Sequence, residues 1–200
     1  MSNYIFIRVC QYICGAAIFS AVMFIPSAFA AKYDVRDDRI PTIEKIEEGH
    51  RIYMPYEIRD VKYFIGMLHV LRSAPLGSEI EIISAGYGGA VMTLAKIISA
   101  IQDSDADITI TVDGPSYSAH AILACAAPTL KMSQSSFLMY HTIQSGGSAL
   151  DYEGMHKGLR HLTKYFLYEL CSNILTKKQS KAIVIGLEDV YILPDEVGSK

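Results

Sequence analysis

Ile82-Ile83-Ser84-Ala85-Gly86-Tyr87-Gly88-Gly89-Ala90-Val91 runs from an apolar strand into glycines and out into a helical pattern. A second run, Ile108–Val112 (ITITV), alternates as a strand and leads into Gly114-Pro115-Ser116-Tyr117-Ser118-Ala119-His120-Ala121. That segment reads as a small-residue turn carrying a serine onto a helix. A third run, Ser136-Phe137-Leu138-Met139-Tyr140-His141, ends a strand on a histidine. Strand and helix alternate through all three, which predicts an α/β fold with at least partly parallel strands.

Outward from this centre the pattern continues. Upstream, His50–Tyr56 is β-rich and predicts a first strand. Ile58, Val61, Phe64, Ile65, Leu68 and Leu71 recur at helical spacing, so Glu57–Arg72 is expected as an amphipathic helix, ended by Ala74-Pro75-Leu76-Gly77. Glu79–Ser84 is the strand into the glycines, and Ala90–Ile101 is apolar nearly all round, as a buried helix is. Downstream, Ser118–Ala127 predicts a short helix ended by Pro128, followed by short strands at Leu130–Ser133 and Phe137–Tyr140. After a glycine-serine link at Gln144–Ser148, one long helix is expected over Leu150–Leu175, with Met155, Leu159, Leu162, Phe166, Leu170 and Ile174 on one stripe. The tail carries a short helix around Gln179–Ile185 and then Glu188-Asp189-Val190-Tyr191-Ile192-Leu193.

The N-terminus reads differently. Arg8 precedes an apolar core from about Tyr12 to Ile25, and Pro26-Ser27-Ala28-Phe29-Ala30 offers small residues for cleavage after Ala30. This is a secretory signal pattern, with an apolar run short for a spanning helix. The expected organisation is therefore a signal peptide (1–30), a charged, loose arm (31–49) and one α/β domain (50–200). Cleaved or retained as an anchor, the leader places the domain outside the cytoplasm, periplasmic or secreted; membrane attachment is expected only if it is retained.

Bulk properties exclude several classes. Half the residues are hydrophobic and a fifth charged, so the chain is globular rather than disordered. A net charge of -3 gives no reason to expect a nucleic-acid partner. No Cys, His or Asp spacing resembles a metal site. Cys10 and Cys14 lie in the leader, while Cys125 and Cys171 sit in apolar helical patterns and are expected as buried free thiols.

The turns carry candidate chemistry. Gly88-Gly89, between strand and helix, lets backbone N–H groups approach a ligand with no Cβ in the way. Ser118 at a helix start would have the Ala119 N–H beside its hydroxyl as an oxyanion donor, with the Gly89 N–H as a second. Taken alone, Ser118 reads first as an N-cap, His141 as a satisfied core or loop residue, Asp189 as a surface carboxylate and His120 as packing. The set is more specific than its parts: glycine turn, serine on a helix start, histidine at a strand end, then a late acid.

With these residues in place, the sequence resembles the proteolytic subunit of the Clp protease, within the Clp peptidase/crotonase superfamily, over about Arg51 to Glu196. A glycine pair after a strand, a Gly-x-Ala-x-Ser-Met turn, a histidine closing a hydrophobic strand and an acid after a helix are the family's marks. Here Gly88-Gly89, Gly114–Ala119, Phe137–His141 and Glu188–Pro194 stand in those places. The resemblance implies repeated ββα units with a protruding handle helix at about 150–175. It implies Ser118 as nucleophile, His141 as general base and Asp189 as its orienting acid, with the N–H groups of Gly89 and Ala119 as oxyanion hole. A peptide or unfolded substrate strand would lie against Gly88, Thr142 and Ile143 on the edge after His141. No cofactor is implied, and the assembly implied is a homo-oligomeric ring, heptameric in the family.

The chain also departs from the pattern. Asn-Ser-Pro before the glycine pair is Ala85-Gly86-Tyr87, the residue after the serine is Ala119 instead of methionine, and Lys200 ends the sequence before a further family strand. An exported relative has no ATP supply, which argues against an ATP-driven unfoldase as partner. The expected activity is thus an exported, ATP-independent serine endopeptidase; the competing expectation is a catalytically inactive oligomeric scaffold or binding protein. A crotonase-type acyl-CoA enzyme is disfavoured by export away from coenzyme A. A serine–lysine peptidase is disfavoured because no lysine takes the place of His141.

Overall fold

Alternating burial along two long strands organises the domain. In β4 (Glu79–Gly86) the residues Ile80, Ile82, Ser84 and Gly86 face the core, and in β6 (Asp107–Tyr117) Ile108, Ile110, Val112, Gly114 and Ser116 do so. The computed structural model describes residues 38–143 and 153–197, all within one compact unit, Asp37–Lys200. The leader, the first residues of the arm (31–37), the Gln144–Ser148 link and the start of the expected long helix lie outside the described residues. Among the described residues no helix is long and apolar enough to cross a membrane.

The main sheet has seven strands in the order β1 (Thr42–Ile46), β2 (Gly49–Tyr53), β4, β6, β8 (Phe137–Tyr140) and β9 (Val190–Ile192), with β7 (Thr129–Met132) also paired to β6. β2, β4, β6, β7 and β8 run parallel; β1 and β9 pair antiparallel with β2 and β8. The helices α1 (Ile65–Ser73), α2 (Val91–Gln102) and α3 (Ala119–Cys125) are the crossovers that parallel strands require. Leu94, Ile97, Ile98 and Ile101 give α2 its buried stripe, and every residue of α3 is buried. The fold is the mixed α/β architecture, with a mostly parallel sheet, that the sequence resemblance implies. On the opposite face of the sheet, Arg51 bonds Glu81 at 2.7 Å and Thr111 donates to the same carboxylate at 2.9 Å. These contacts, the guanidinium's first, hold the Glu81 carboxyl below the usual carboxylate range.

Several elements differ from expectation. Thr42–Ile46, assigned to a loose arm, is strand β1, paired antiparallel with β2 and held by Ile43, which lies opposite Ile52 and packs on the core. The helix expected over Glu57–Arg72 begins late. Glu57-Ile58 forms β3, paired in parallel with Gly88-Gly89 (β5), and a 3-10 turn at Val61–Phe64, capped by the Asp60 carboxylate, precedes α1. Strand β6 does not stop at Val112. It pairs with β7 through Val112, then with β8 from Pro115, so Gly114-Pro115 is a change of partner inside one strand rather than a turn.

The long helix is also interrupted. α4 (Glu153–Lys164) passes into a π turn at Tyr165–Glu169 and a 3-10 turn at Leu170–Asn173, which seats both Phe166 and Leu167 in the core. Cys171 is not a free thiol: it forms a disulfide with Cys125 of α3, their Cα atoms 4.8 Å apart. Their sequence separation of 46 hides the contact, since only the packing of α3 against this turn brings them together. The tail helix α5 (Lys177–Val184) leads to β9.

Candidate functional site

Parallel strands end together, and their carboxyl ends bring the candidate residues to one edge of the sheet. Tyr117 at the end of β6 pairs with Met139 of β8, and the Ser118 N–H donates to the Met139 carbonyl at 2.8 Å. His141 follows β8 directly. Antiparallel β9 pairs Val190 with Tyr140, so the residue before it, Asp189, falls opposite His141. Serine, histidine and aspartate thus leave three neighbouring strands at the same end.

Ser118 sits where strand β6 becomes helix α3, with φ 55° and ψ -116°. It is the only non-glycine residue with positive φ among the described residues. Strain of this kind costs on the order of 1–3 kcal/mol and persists where surrounding structure enforces it. The Ser118 carbonyl accepts the first helical bond, from Ile122 N–H at 3.0 Å, yet its side chain caps nothing. The N-cap role that would account for a serine here is therefore not used. The hydroxyl is half-buried, with the Ala119 N–H next along the chain.

The glycine strand lies against this turn. A Cβ placed on Gly88 would stand 2.7 Å from Ser118 Cβ and 3.1 Å from the Ala119 nitrogen, at φ 106°. Only glycine permits that approach. Gly89 faces the other way, its Cβ position 2.1 Å from the Ile58 carbonyl oxygen on β3. Of the two glycines, Gly88 adjoins the serine and Gly89, the residue expected to donate, packs on β3.

The histidine side is looser. His141, Thr142, Gly186, Leu187, Glu188 and Asp189 line an open cleft of about 590 Å³. The His141 Nδ1 is 2.8 Å from the Thr142 carbonyl, and the Thr142 hydroxyl donates to the Ile183 carbonyl at 2.6 Å. Asp189 is exposed, and Thr142 and Ile143 are half-buried beside His141. Among the described residues no hydrogen bond joins Ser118 to His141 or His141 to Asp189. No group of three or more His, Cys, Asp or Glu side chains is arranged to hold a metal ion among them.

Two features beside the site escape sequence reasoning. Tyr56, Tyr87, Tyr117, Phe137 and Tyr191 form a continuous row with ring centroids 5.4–6.1 Å apart, passing both the glycine turn and the serine. Tyr87 directly precedes Gly88 and Tyr117 directly precedes Ser118, which is the only trace the row leaves in sequence. The second is His120, fully buried in α3, with Nδ1 2.9 Å from the Ser84 hydroxyl and Nε2 without a hydrogen-bond partner. Burial pushes its pKa down to about 4, the Pro55 carbonyl offsetting the effect in part. It is neutral at ordinary pH.

A comparison with curated proteins gave no match. The family model for Clp protease matches residues 37–183, a span that contains Gly88, Ser118 and His141 and ends before Asp189. With most of the chain matched and the fold in agreement, this chain belongs to the Clp protease family, and its family-level activity is that of a peptidase.

Proposed function

We propose that the protein is an exported, ATP-independent serine endopeptidase acting through Ser118, His141 and Asp189. The observation that carries this reading is the strained, uncapped Ser118 at the β6–α3 junction, pressed against Gly88. Its hydroxyl would add to the scissile carbonyl as His141 takes the proton, the oxyanion forming beside the Ala119 N–H and the Gly88-Gly89 strand. The imidazolium would return that proton to the leaving amine, and water would then hydrolyse the acyl-enzyme to release acid and free serine. For the acid to orient the base, the imidazole must turn its Nδ1 from the Thr142 carbonyl toward Asp189. A peptide strand along Thr142 and Ile143 would bring its carbonyl to Ser118 and supply the cause for that turn.

Export is supported by the leader and by the Cys125–Cys171 disulfide, a bond that persists in oxidising compartments. Exposed Ile185, Leu187 and Leu193 beside the cleft suit a subunit contact, in keeping with a homo-oligomer; light scattering on the purified protein tests it.

The deciding experiment is labelling of the protein from Ala31 onward with a fluorophosphonate probe, beside Ser118→Ala and His141→Ala. Labelling lost in the first variant and lowered at least about 100-fold in the second is the expected result. No labelling of a folded, oligomeric wild type, with or without peptide present, overturns it. The second reading, a scaffold that keeps the fold without turnover, draws on the absence of hydrogen bonds among Ser118, His141 and Asp189, and that outcome would favour it.

A further inference from the structure

We propose that His120 is a positioning residue: through Ser84 it clamps the serine-bearing helix to β4, the strand that leads into Gly88-Gly89. The inference rests on the serine peptidase reading and adds a part to it. The helix α3 reads Ala-His-Ala-Ile-Leu-Ala-Cys, buried throughout, so an apolar residue at position 120 would satisfy packing alone. Imidazole at that position leaves one ring nitrogen, Nε2, buried with no hydrogen bond of good geometry, the Pro55 carbonyl beside the ring notwithstanding. A buried, unsatisfied polar atom is destabilising, and one retained beside a reactive turn calls for a reason.

The reason lies in what the ring touches. Ser84 belongs to β4, four residues before Gly88, and its hydroxyl meets His120 Nδ1 at 2.9 Å. The carbonyl of the same Ser84 accepts from the Ser116 hydroxyl at 3.4 Å. One residue of β4, just ahead of the glycine turn, is therefore bonded on both sides of Ser118, two positions before it and two after. The far end of the ring fills the space under Gly86, where a Cβ would lie 2.8 Å from Nε2 and 2.4 Å from the Tyr56 carbonyl oxygen. The imidazole thus holds α3 at a set distance from the turn that presents Gly88. Loss of the ring or of the Ser84 hydroxyl frees that distance, and transition-state stabilisation is the property most sensitive to it.

The experiment compares wild type with His120→Ala, Ser84→Ala and His120→Asn, whose amide still reaches Ser84 in either hydrogen-bonding sense. Peptide turnover, fluorophosphonate labelling and backbone hydrogen exchange are measured on each. Both alanine variants are expected to lose about 10- to 100-fold in kcat and labelling rate with KM within about twofold, and His120→Asn to recover most of the loss. Exchange should accelerate at Gly86–Gly89 and Ser118–Ile122 and nowhere else. Unchanged kcat in the alanine variants, an equal loss in His120→Asn, or acceleration spread evenly over the domain overturns the proposal. If wild type neither labels nor turns over peptide, the peptidase reading falls separately, and exchange alone decides the clamp. Local acceleration then supports it, and no change overturns it.

Discussion

The serine half of the site and the histidine half are built in different ways. Ser118 is fixed from four directions: the Met139 carbonyl, the Gly88 backbone, the start of α3, and behind it the Ser84–His120 contact. His141 and Asp189 hang on the sheet's last strand pair, open to solvent in a broad cleft and unbonded to each other. An oxyanion site must be preorganised, because donors that move at the moment of reaction stabilise little. A base can be brought into place by substrate. On the proposed reading, the division teaches that this chain invests rigidity around Ser118 and leaves His141 to be completed.

Glycine substitutions probe that contrast most strongly. Gly88→Ala places a methyl against Ser118 and forces alanine to φ 106°, so about 3–5 kcal/mol of stability and all fluorophosphonate labelling should be lost. Gly186→Ala also meets positive φ, 67°, but its Cβ would stand 3.3 Å from the Thr142 hydroxyl, which can yield. There the expected cost is about 1–2 kcal/mol, with labelling retained. Urea denaturation and labelling of the two variants check this; equal effects would erase the distinction between the halves.

The disulfide comes next. It ties the end of the serine-bearing helix to the turn after α4, so Cys125→Ala with Cys171→Ala should cost about 2–5 kcal/mol. The loss should appear in urea denaturation and be matched by reduction of the wild type. Labelling per folded molecule should fall with it if the serine half depends on that tie. An unchanged labelling rate would confine the rigid unit to the Ser84–Gly88–Ser118 region.

Much of this arrangement is legible in sequence because it is local. Gly88-Gly89, Ser118 and His141 each end a strand whose apolar alternation can be counted, and Phe137–Tyr140 forms the strand with the bounds expected. What is not legible depends on partners distant in the chain. Glu57-Ile58 reads as helix because its neighbours are helical in period, yet a glycine strand thirty residues on recruits it. Gly114-Pro115 reads as a turn because both residues break strands, and nothing local reveals that β6 changes partners there. Cys125 and Cys171 read as separate thiols for the same reason. His120 reads as packing until Ser84 is seen behind it.

Proton access gives a smaller test. The His120 pKa, about 4 against 6.5 for an ordinary histidine, means the unfolded chain binds the extra proton between these values. Stability from this residue is therefore complete above about pH 6.5 and is lost as pH falls toward 4, on the order of 3 kcal/mol in all. Denaturant titrations of wild type and His120→Asn at pH 7 and pH 4 should differ in their acid sensitivity by that amount. Equal sensitivity would mean that the serine half admits protons, and would remove its claim to be the closed one.

The weakest expected effect belongs to the open half. Thr176 and Gln179 form a reciprocal cap at the start of α5: the Gln179 N–H donates to the Thr176 hydroxyl at 3.3 Å, and the Thr176 N–H to the Gln179 side chain at 2.8 Å. α5 carries the Ile185–Glu188 loop and, through it, Asp189. Thr176→Ala should therefore cost about 1 kcal/mol and increase hydrogen exchange in that loop. Labelling of Ser118 should fall only slightly if substrate completes the base, since among the described residues no hydrogen bond joins the serine turn to this cap. A fall as large as that of His141→Ala would instead mean that Asp189 must already be held in place before substrate arrives. In that case the open half is as preorganised as the serine half, and its exposure in the free protein is no guide to how it works.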